Sequence, residues 1–260
     1  MKTRILMIIT LTIAALALLL GLKAGRKNNN EQVQTDQVSA DTLVAKRVYN
    51  LIILDESGSM EPIRKVSVDG VNETLKTIRS AYEEFPQQEQ FVTFATFSGN
   101  PHHNKNYCRV KRELQSITDV TNLKVSEYIP NGVTPLWDTM GKLLTELEHK
   151  VTDEDLVLVT IITDGLENSS VEYNAESIKK LVGRLDEKGW VFTYIGANQD
   201  VALTAGEMGI RNYYQYTSDR DGTRKMFEKE RSSRTRFYRN SRVGTMNDRL
   251  QRDYFQPDDN

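Results

Sequence analysis

Cysteine is close to absent. Cys108 stands alone in 260 residues, so no internal disulfide can staple the chain, although export does not require one. The nearest histidines, His102 and His103, are a pair in a polar loop, and Cys108 reads as a small strand residue and not as a nucleophile. Charge of one sign is lacking too. Lys and Arg total 34 against 36 Asp and Glu, for a formal net charge of −2, which gives no general attraction to nucleic acid. There is no P-loop, no G-x-S-x-G turn and no dinucleotide-type glycine pattern. Internal repeats and low-complexity arrays are missing as well. What is present, 38% hydrophobic and 27% charged residues, suits one substantial globular α/β body with extra segments.

One long apolar run exists. Residues 5–22 are interrupted only by Thr10, Thr12 and Gly21, with Lys2 and Arg4 before them and Lys23, Arg26 and Lys27 after. The run is long for a cleaved signal, Leu22-Lys23-Ala24 is a poor cleavage site, and no lipoprotein cysteine follows. Its length is near the minimum for crossing the hydrocarbon core. The expectation is therefore a membrane anchor or signal segment over 1–27, read as a single transmembrane helix. Basic residues at both ends allow either orientation. A body outside the cytoplasm is the expectation, secreted if the segment is cleaved. Residues 28–44 are polar and aperiodic, as in a tether.

Beyond the tether, apolar periodicity alternates between strand and helix. Val48–Leu54 and Leu156–Ile162 are continuous apolar runs, as in strands covered on both faces. Phe91–Phe97 and Val191–Ile195 are further strands, with an edge strand near Tyr107–Leu114 and a short one around Tyr213–Tyr216. Helical spacing covers Val66–Phe85, the segment following Pro135, and the stretch with Ile178, Leu181, Val182 and Leu185. A short helix follows over Val201–Met208, and a terminal one over Asp221–Tyr238. This alternation predicts an α/β domain over 45–240, doubly wound around a mainly parallel sheet, with a polar tail over 241–260.

The sharpest local signal lies where the first strand ends. Leu51-Ile52-Ile53-Leu54 gives way to Asp55-Glu56-Ser57-Gly58-Ser59. Gly58 permits a tight turn, so Asp55, Ser57 and Ser59 can converge on one point. Sites form at the carboxyl ends of strands in such sheets. Converging hard oxygens favour magnesium, manganese or calcium over zinc or copper. Each element has a plainer reading. Asp55 and Ser57 could cap a helix beginning near Pro62, Thr134 could cap one starting at Pro135, and Asp164-Gly165 could be an ordinary turn.

The D-x-S-x-S sequence after a buried strand resembles the metal-ion-dependent adhesion site of von Willebrand factor A-type domains. So do Thr134 in Gly132-Val133-Thr134-Pro135-Leu136 and Asp164 in Thr163-Asp164-Gly165, which follow in the same order. The resemblance covers Val48 to about Tyr238 and is nearest to stand-alone bacterial and phage proteins of that type. It implies direct coordination by Ser57, Ser59 and Thr134, with Asp55 and Asp164 acting through bound waters. It further implies a divalent cation, Mg2+ first, that recruits an Asp or Glu of a protein partner.

Glu56 is expected to face solvent, with Glu167 and Asn168 on the rim. Lys225, Arg231, Arg234, Arg236, Arg239 and Arg242 read as a solvated helix face balanced by Asp219, Asp221, Glu228 and Glu230. No nucleic-acid partner is expected. The function expected is a membrane-tethered, cation-dependent binding module. Two alternatives stay beside it: a cytoplasm-facing adaptor for an ATPase, and a magnesium-dependent hydrolase using Asp55 as nucleophile. The hydrolase pattern wants a second aspartate where Ser57 stands.

Overall fold

The computed structural model describes residues 47–99, 107–241 and 253–255. The apolar run 5–22, the tether, His102, His103 and Arg242 lie outside the described residues. Among the described residues no helix is long and apolar enough to cross a membrane.

Six strands form one sheet in the order β3-β2-β1-β4-β5-β6. They are β1 (Arg47–Asp55), β2 (Glu89–Phe97), β3 (Cys108–Ser116), β4 (Leu156–Thr163), β5 (Val191–Gly196) and β6 (Asn212–Gln215). All pair in parallel except the edge strand β3, which runs antiparallel to β2. The helices are α1 (Arg64–Glu84), α2 (Leu136–Glu148), α3 (Ala175–Glu187), α4 (Val201–Glu207) and α5 (Arg220–Ser241).

Strand alternation sorts the apolar run of β1 between two helical layers. Ile52 and Leu54 point into a core shared with Val71, Leu75 and Ile78 of α1 and Met226, Phe227 and Phe237 of α5. Leu51 and Ile53 point the other way, toward Met140 and Leu144 of α2, Ile178 and Leu185 of α3, and Ala205 of α4. Strand β4 splits in the same manner, with Leu158 and Ile162 on the first face and Val159 and Ile161 on the second. Both faces are thus covered, and β1 and β4 run side by side in register, Leu54 opposite Ile162. Their carboxyl ends, Asp55 and the residue after Thr163, emerge together.

The terminal helix keeps Lys225, Arg231 and Arg239 exposed beside Asp221 and Glu228, but two of the charges read as solvated are not. Arg234 and Glu230 are both buried, and Arg234 Nε donates to Glu230 at 2.6 Å. The guanidinium also donates to Thr160 Oγ1 of β4 at 2.7 Å and to Asn50 Oδ1 of β1 at 3.0 Å. The Tyr238 hydroxyl accepts from Arg234 and donates to Asn50. Glu230 accepts from the Tyr254 hydroxyl at 3.1 Å and the Thr74 hydroxyl at 3.3 Å. Each nitrogen of the fork therefore meets an acceptor, which is the condition for burying a charge. Tyr254, in the segment read as a polar tail, is itself buried in the core beneath α5, with Phe255 packed against its ring.

Breaking this pair on one side should be costly. Glu230→Gln leaves the Arg234 charge uncompensated and should lower unfolding stability by about 3–5 kcal/mol in urea titrations. The double variant Glu230→Leu/Arg234→Met, with no charge left buried, should be less destabilised than Glu230→Gln alone.

Candidate metal centre

The residues singled out at the strand ends meet. Asp55, fully buried at the end of β1, accepts from the Ser57 backbone N–H at 2.7 Å through Oδ1. Its Oδ2 accepts from the Thr163 hydroxyl, the last residue of β4, at 2.6 Å. The Ser57 and Ser59 hydroxyls lie 3.1 Å apart, and Ser59 donates to Asp164 Oδ1 at 2.6 Å. Asp164 Oδ2 accepts from the Ser218 hydroxyl, just ahead of α5, at 3.0 Å. The Thr134 hydroxyl faces the same space. A Cβ built on Gly165 would lie 3.6 Å from Thr134 Oγ1 and 3.7 Å from Ser59 Oγ.

Capping does not account for these side chains. Ser57 precedes a short 3-10 helix, Gly58–Ile63, without bonding its backbone through the side chain. Helix α2 starts at Leu136 with Pro135, not Thr134, in the capping position. Thr134 is instead held by its backbone, whose N–H donates to Asn168 Oδ1 at 2.9 Å and whose carbonyl accepts from the Asn168 N–H at 3.2 Å.

The loops that carry Ser57 and Thr134 are laced together. Gly58 N–H donates to the Gly132 carbonyl at 3.1 Å, and Asn131 N–H to the Glu56 carbonyl at 2.8 Å. Gly132 has φ of +80°, and a Cβ there would overlap the Gly99 carbonyl oxygen, so glycine is the residue this approach requires. Glu56 does not face solvent. Its buried carboxylate accepts from Ile129 N–H at 2.5 Å and from Arg109 at 2.7 and 3.0 Å. Glu167, half-buried, and Asn168, exposed, stand on the rim with side chains bonded to the loop backbone. Glu167 accepts from the backbone N–H groups of Trp137, Ser169 and Ser170.

Burial pushes the Asp55 carboxyl up to about 7, against the pull of its hydrogen bonds from Thr163 and Ser57, and the nearby Asp164 adds to the rise. Among the described residues the side-chain bonds to the Asp55 and Asp164 carboxylates come from Ser57, Thr163, Ser59 and Ser218, none of them cationic. Two buried carboxyl groups roofed by hydroxyls, with no protein counter-charge, fit a hard divalent cation. Among the described residues no group of three or more His, Cys, Asp or Glu side chains is assembled for a metal, so the donor set here is rich in hydroxyls. Burial pushes the Cys108 thiol up to about 11, which removes the thiolate a nucleophile needs.

Thr163, Ser218 and the inward Glu56 were not singled out from the sequence as parts of this arrangement. Thr163 carries a local signal, a hydroxyl one residue before Asp164 at a strand end. Ser218 carries none, because its tie to Asp164 spans 54 positions.

Two outcomes are expected. A carboxyl whose pKa is higher folded than unfolded stabilises the fold below the unfolded value and loses that contribution as pH rises through the folded value. In chelator, the thermal midpoint should therefore fall between about pH 4 and about pH 7, and Asp55→Asn should remove this component of the slope. Gly165→Ala adds a methyl in ordinary van der Waals contact with Thr134 and Ser59. It should leave the midpoint in chelator unchanged and weaken Mg2+ binding by about tenfold in calorimetric titration.

No protein-family model matches the chain, and no curated protein does. Among solved structures, the pilus adhesin SpaC from Lactobacillus rhamnosus GG superposes with a TM-score of 0.58 at 13% identity. The match covers 74% of this chain, which spans only 31% of the SpaC chain. The VWA domain of SpRpn10 gives a TM-score of 0.49 at 13% identity, covering 70% of this chain and 94% of that one. Proximal thread matrix protein 1 from the mussel byssus, with a zinc-occupied MIDAS motif, gives 0.48 at 15% identity, covering 75% and 47%. At such identities the likeness is one of fold, and the fold this chain shares with SpaC is a three-layer α/β arrangement.

Proposed function

We propose that this chain is a von Willebrand factor A-type binding module, tethered to a membrane through residues 5–22. It holds a divalent cation of the magnesium, manganese or calcium class, magnesium first. Through that ion it binds an Asp or Glu of a protein partner. The observation that carries this reading is the pair of buried carboxyl groups, Asp55 and Asp164, whose hydrogen bonds among the described residues come from neutral groups. Ser57, Ser59 and Thr134 supply neutral oxygen donors on the open side, where Ser59 is exposed. An ion held there by neutral donors keeps positive charge toward solvent and attracts a carboxylate from outside.

Binding is favoured over hydrolysis by the state of Asp55. Both of its oxygens are engaged, by Ser57 N–H and the Thr163 hydroxyl, and the side chain is sealed from solvent. A nucleophile must reach its substrate. In this proposal the body lies outside the cytoplasm, with the amino terminus inside.

Cross-linking capture from native membranes tests the reading, with the full chain as bait in magnesium, in chelator, and as Asp55→Ala in magnesium. A protein retained by the wild type in magnesium alone is the expected result. Equal recovery in all three would overturn the metal-bridged contact.

A further inference from the structure

The loops around the metal centre are irregular but fixed. Asn198 Nδ2 donates to the Asp164 carbonyl at 3.1 Å, and Gln199 Nε2 to the Gly165 carbonyl at 3.3 Å. Beyond Gly165, Glu167 gathers three backbone N–H groups. Asp138, buried in the first turn of α2, gathers those of Val171, Glu172 and Tyr173 at 2.8–2.9 Å. The Gln199 carbonyl oxygen of the side chain accepts from the Thr204 hydroxyl at 3.2 Å, which joins the first turn of α4 to the same loop.

This pinned frame holds large apolar side chains outward. Leu166 is 56% exposed although Gly165 before it and Glu167 after it are both tied down. Leu203, next to Thr204, is 60% exposed, and Ile129, whose N–H is held by Glu56, is 59% exposed. Val171, on the Asp138-bound stretch, is 75% exposed. Of the seven large apolar side chains exposed among the described residues, Leu166, Val171 and Leu203 follow the carboxyl ends of β4 and β5, and Ile129 stands beside Glu56. Isolated exposed apolar residues are ordinary. A set carried on segments pinned by side-chain hydrogen bonds beside the candidate site is not scattered, and rigidity lowers the entropy cost of binding through it.

We infer that Leu166 and Leu203, with Ile129 on the far flank beside Glu56, form an apolar collar selecting protein partners whose metal-binding Asp or Glu is flanked by bulky apolar side chains. This inference rests on the metal-bridged reading above. The reach is appropriate. A Cβ on Gly165 would lie 3.6–3.7 Å from the site hydroxyls, and Leu166 is the next residue. Successive residues of an extended partner segment are about 3.8 Å apart. In this proposal a side chain neighbouring the metal-bound acid packs on Leu166. The centre supplies attraction for one charge, and the collar discriminates among the segments that carry it.

The test uses the full chain in detergent, immobilised, with short disulfide-closed peptides carrying one central Glu flanked by Leu or by Ser. In Mg2+, the Leu-flanked peptide should bind about tenfold more tightly than the Ser-flanked one, as expected for burial of one or two leucine side chains. Chelator should abolish both. Leu166→Ser/Leu203→Ser should bring the two affinities together, while the Ser-flanked peptide and the Mg2+-induced rise in thermal midpoint stay as in the wild type. Equal affinities on the wild type, or a preference that survives in the double variant, would overturn the collar with the metal centre intact. Loss of the Mg2+-induced rise in the wild type itself would overturn the metal reading, and the collar with it. Mg2+-independent self-association, or binding to lipid vesicles, that disappears in the double variant would assign this face to a second copy or to a bilayer and overturn the proposal.

Discussion

The hydrogen bond from the Thr163 hydroxyl to Asp55 joins the carboxyl ends of the two central strands, and the candidate site depends on that junction. Strands β1 and β4 are apolar on both faces because helices cover both. Their ends are the first positions where polar side chains can gather without disturbing either core. Asp55 closes β1 by taking one bond from its own turn and one from its neighbour strand. Without either partner, a carboxyl this deeply buried would carry a desolvation cost of several kcal/mol. The same pair of bonds directs the chain so that Ser57 and Ser59 meet Asp164.

Around this junction, acidic side chains do work that secondary structure does elsewhere. Just after β1 and β4 the chain leaves the ladder before any helix begins, and each buried N–H there still needs an acceptor. Asp55, Glu56, Asp138 and Glu167 each accept from backbone N–H groups. Among the described residues, Glu56 alone of the four also has a cationic partner, Arg109. The result is a rigid rim built from loops, which explains how residues from β1, the segment before α2, and the end of β4 keep a common geometry.

Much of this was legible in the sequence where the cause is local. The runs Leu51–Leu54 and Leu156–Ile162, the spacing of Val71, Leu75 and Ile78, and the D-x-S-x-S turn show their structure in a short window. The parts that were not legible depend on distant partners. Glu56 reads as exposed because its neighbours are polar, but its cation lies 53 positions away. Arg234 reads as one more solvated charge, yet it bonds Asn50 across 184 positions. Thr134 before a proline has the local look of a cap, and the helix starts one residue later than such a cap would require. Tyr254 sits in a polar stretch whose composition gives no hint that one ring returns to the core.

Contacts at the start and in the middle of α5 bind the last helix to the same central strands that carry the site. At its start Ser218 bonds Asp164, and midway Arg234 bonds Thr160 of β4 and Asn50 of β1. Sliding α5 along its axis would carry the guanidinium away from Asn50 and Thr160 and into apolar surroundings, at a cost of several kcal/mol. That cost exceeds the roughly 1 kcal/mol of an ordinary hydrogen bond such as the one from Ser218. The buried ion pair therefore fixes the position of the helix, and Ser218 follows it. The hydroxyls and carboxylates of the site are held in place before any ion or partner arrives, so an incoming carboxylate would meet an arrangement whose ordering has already been met by folding.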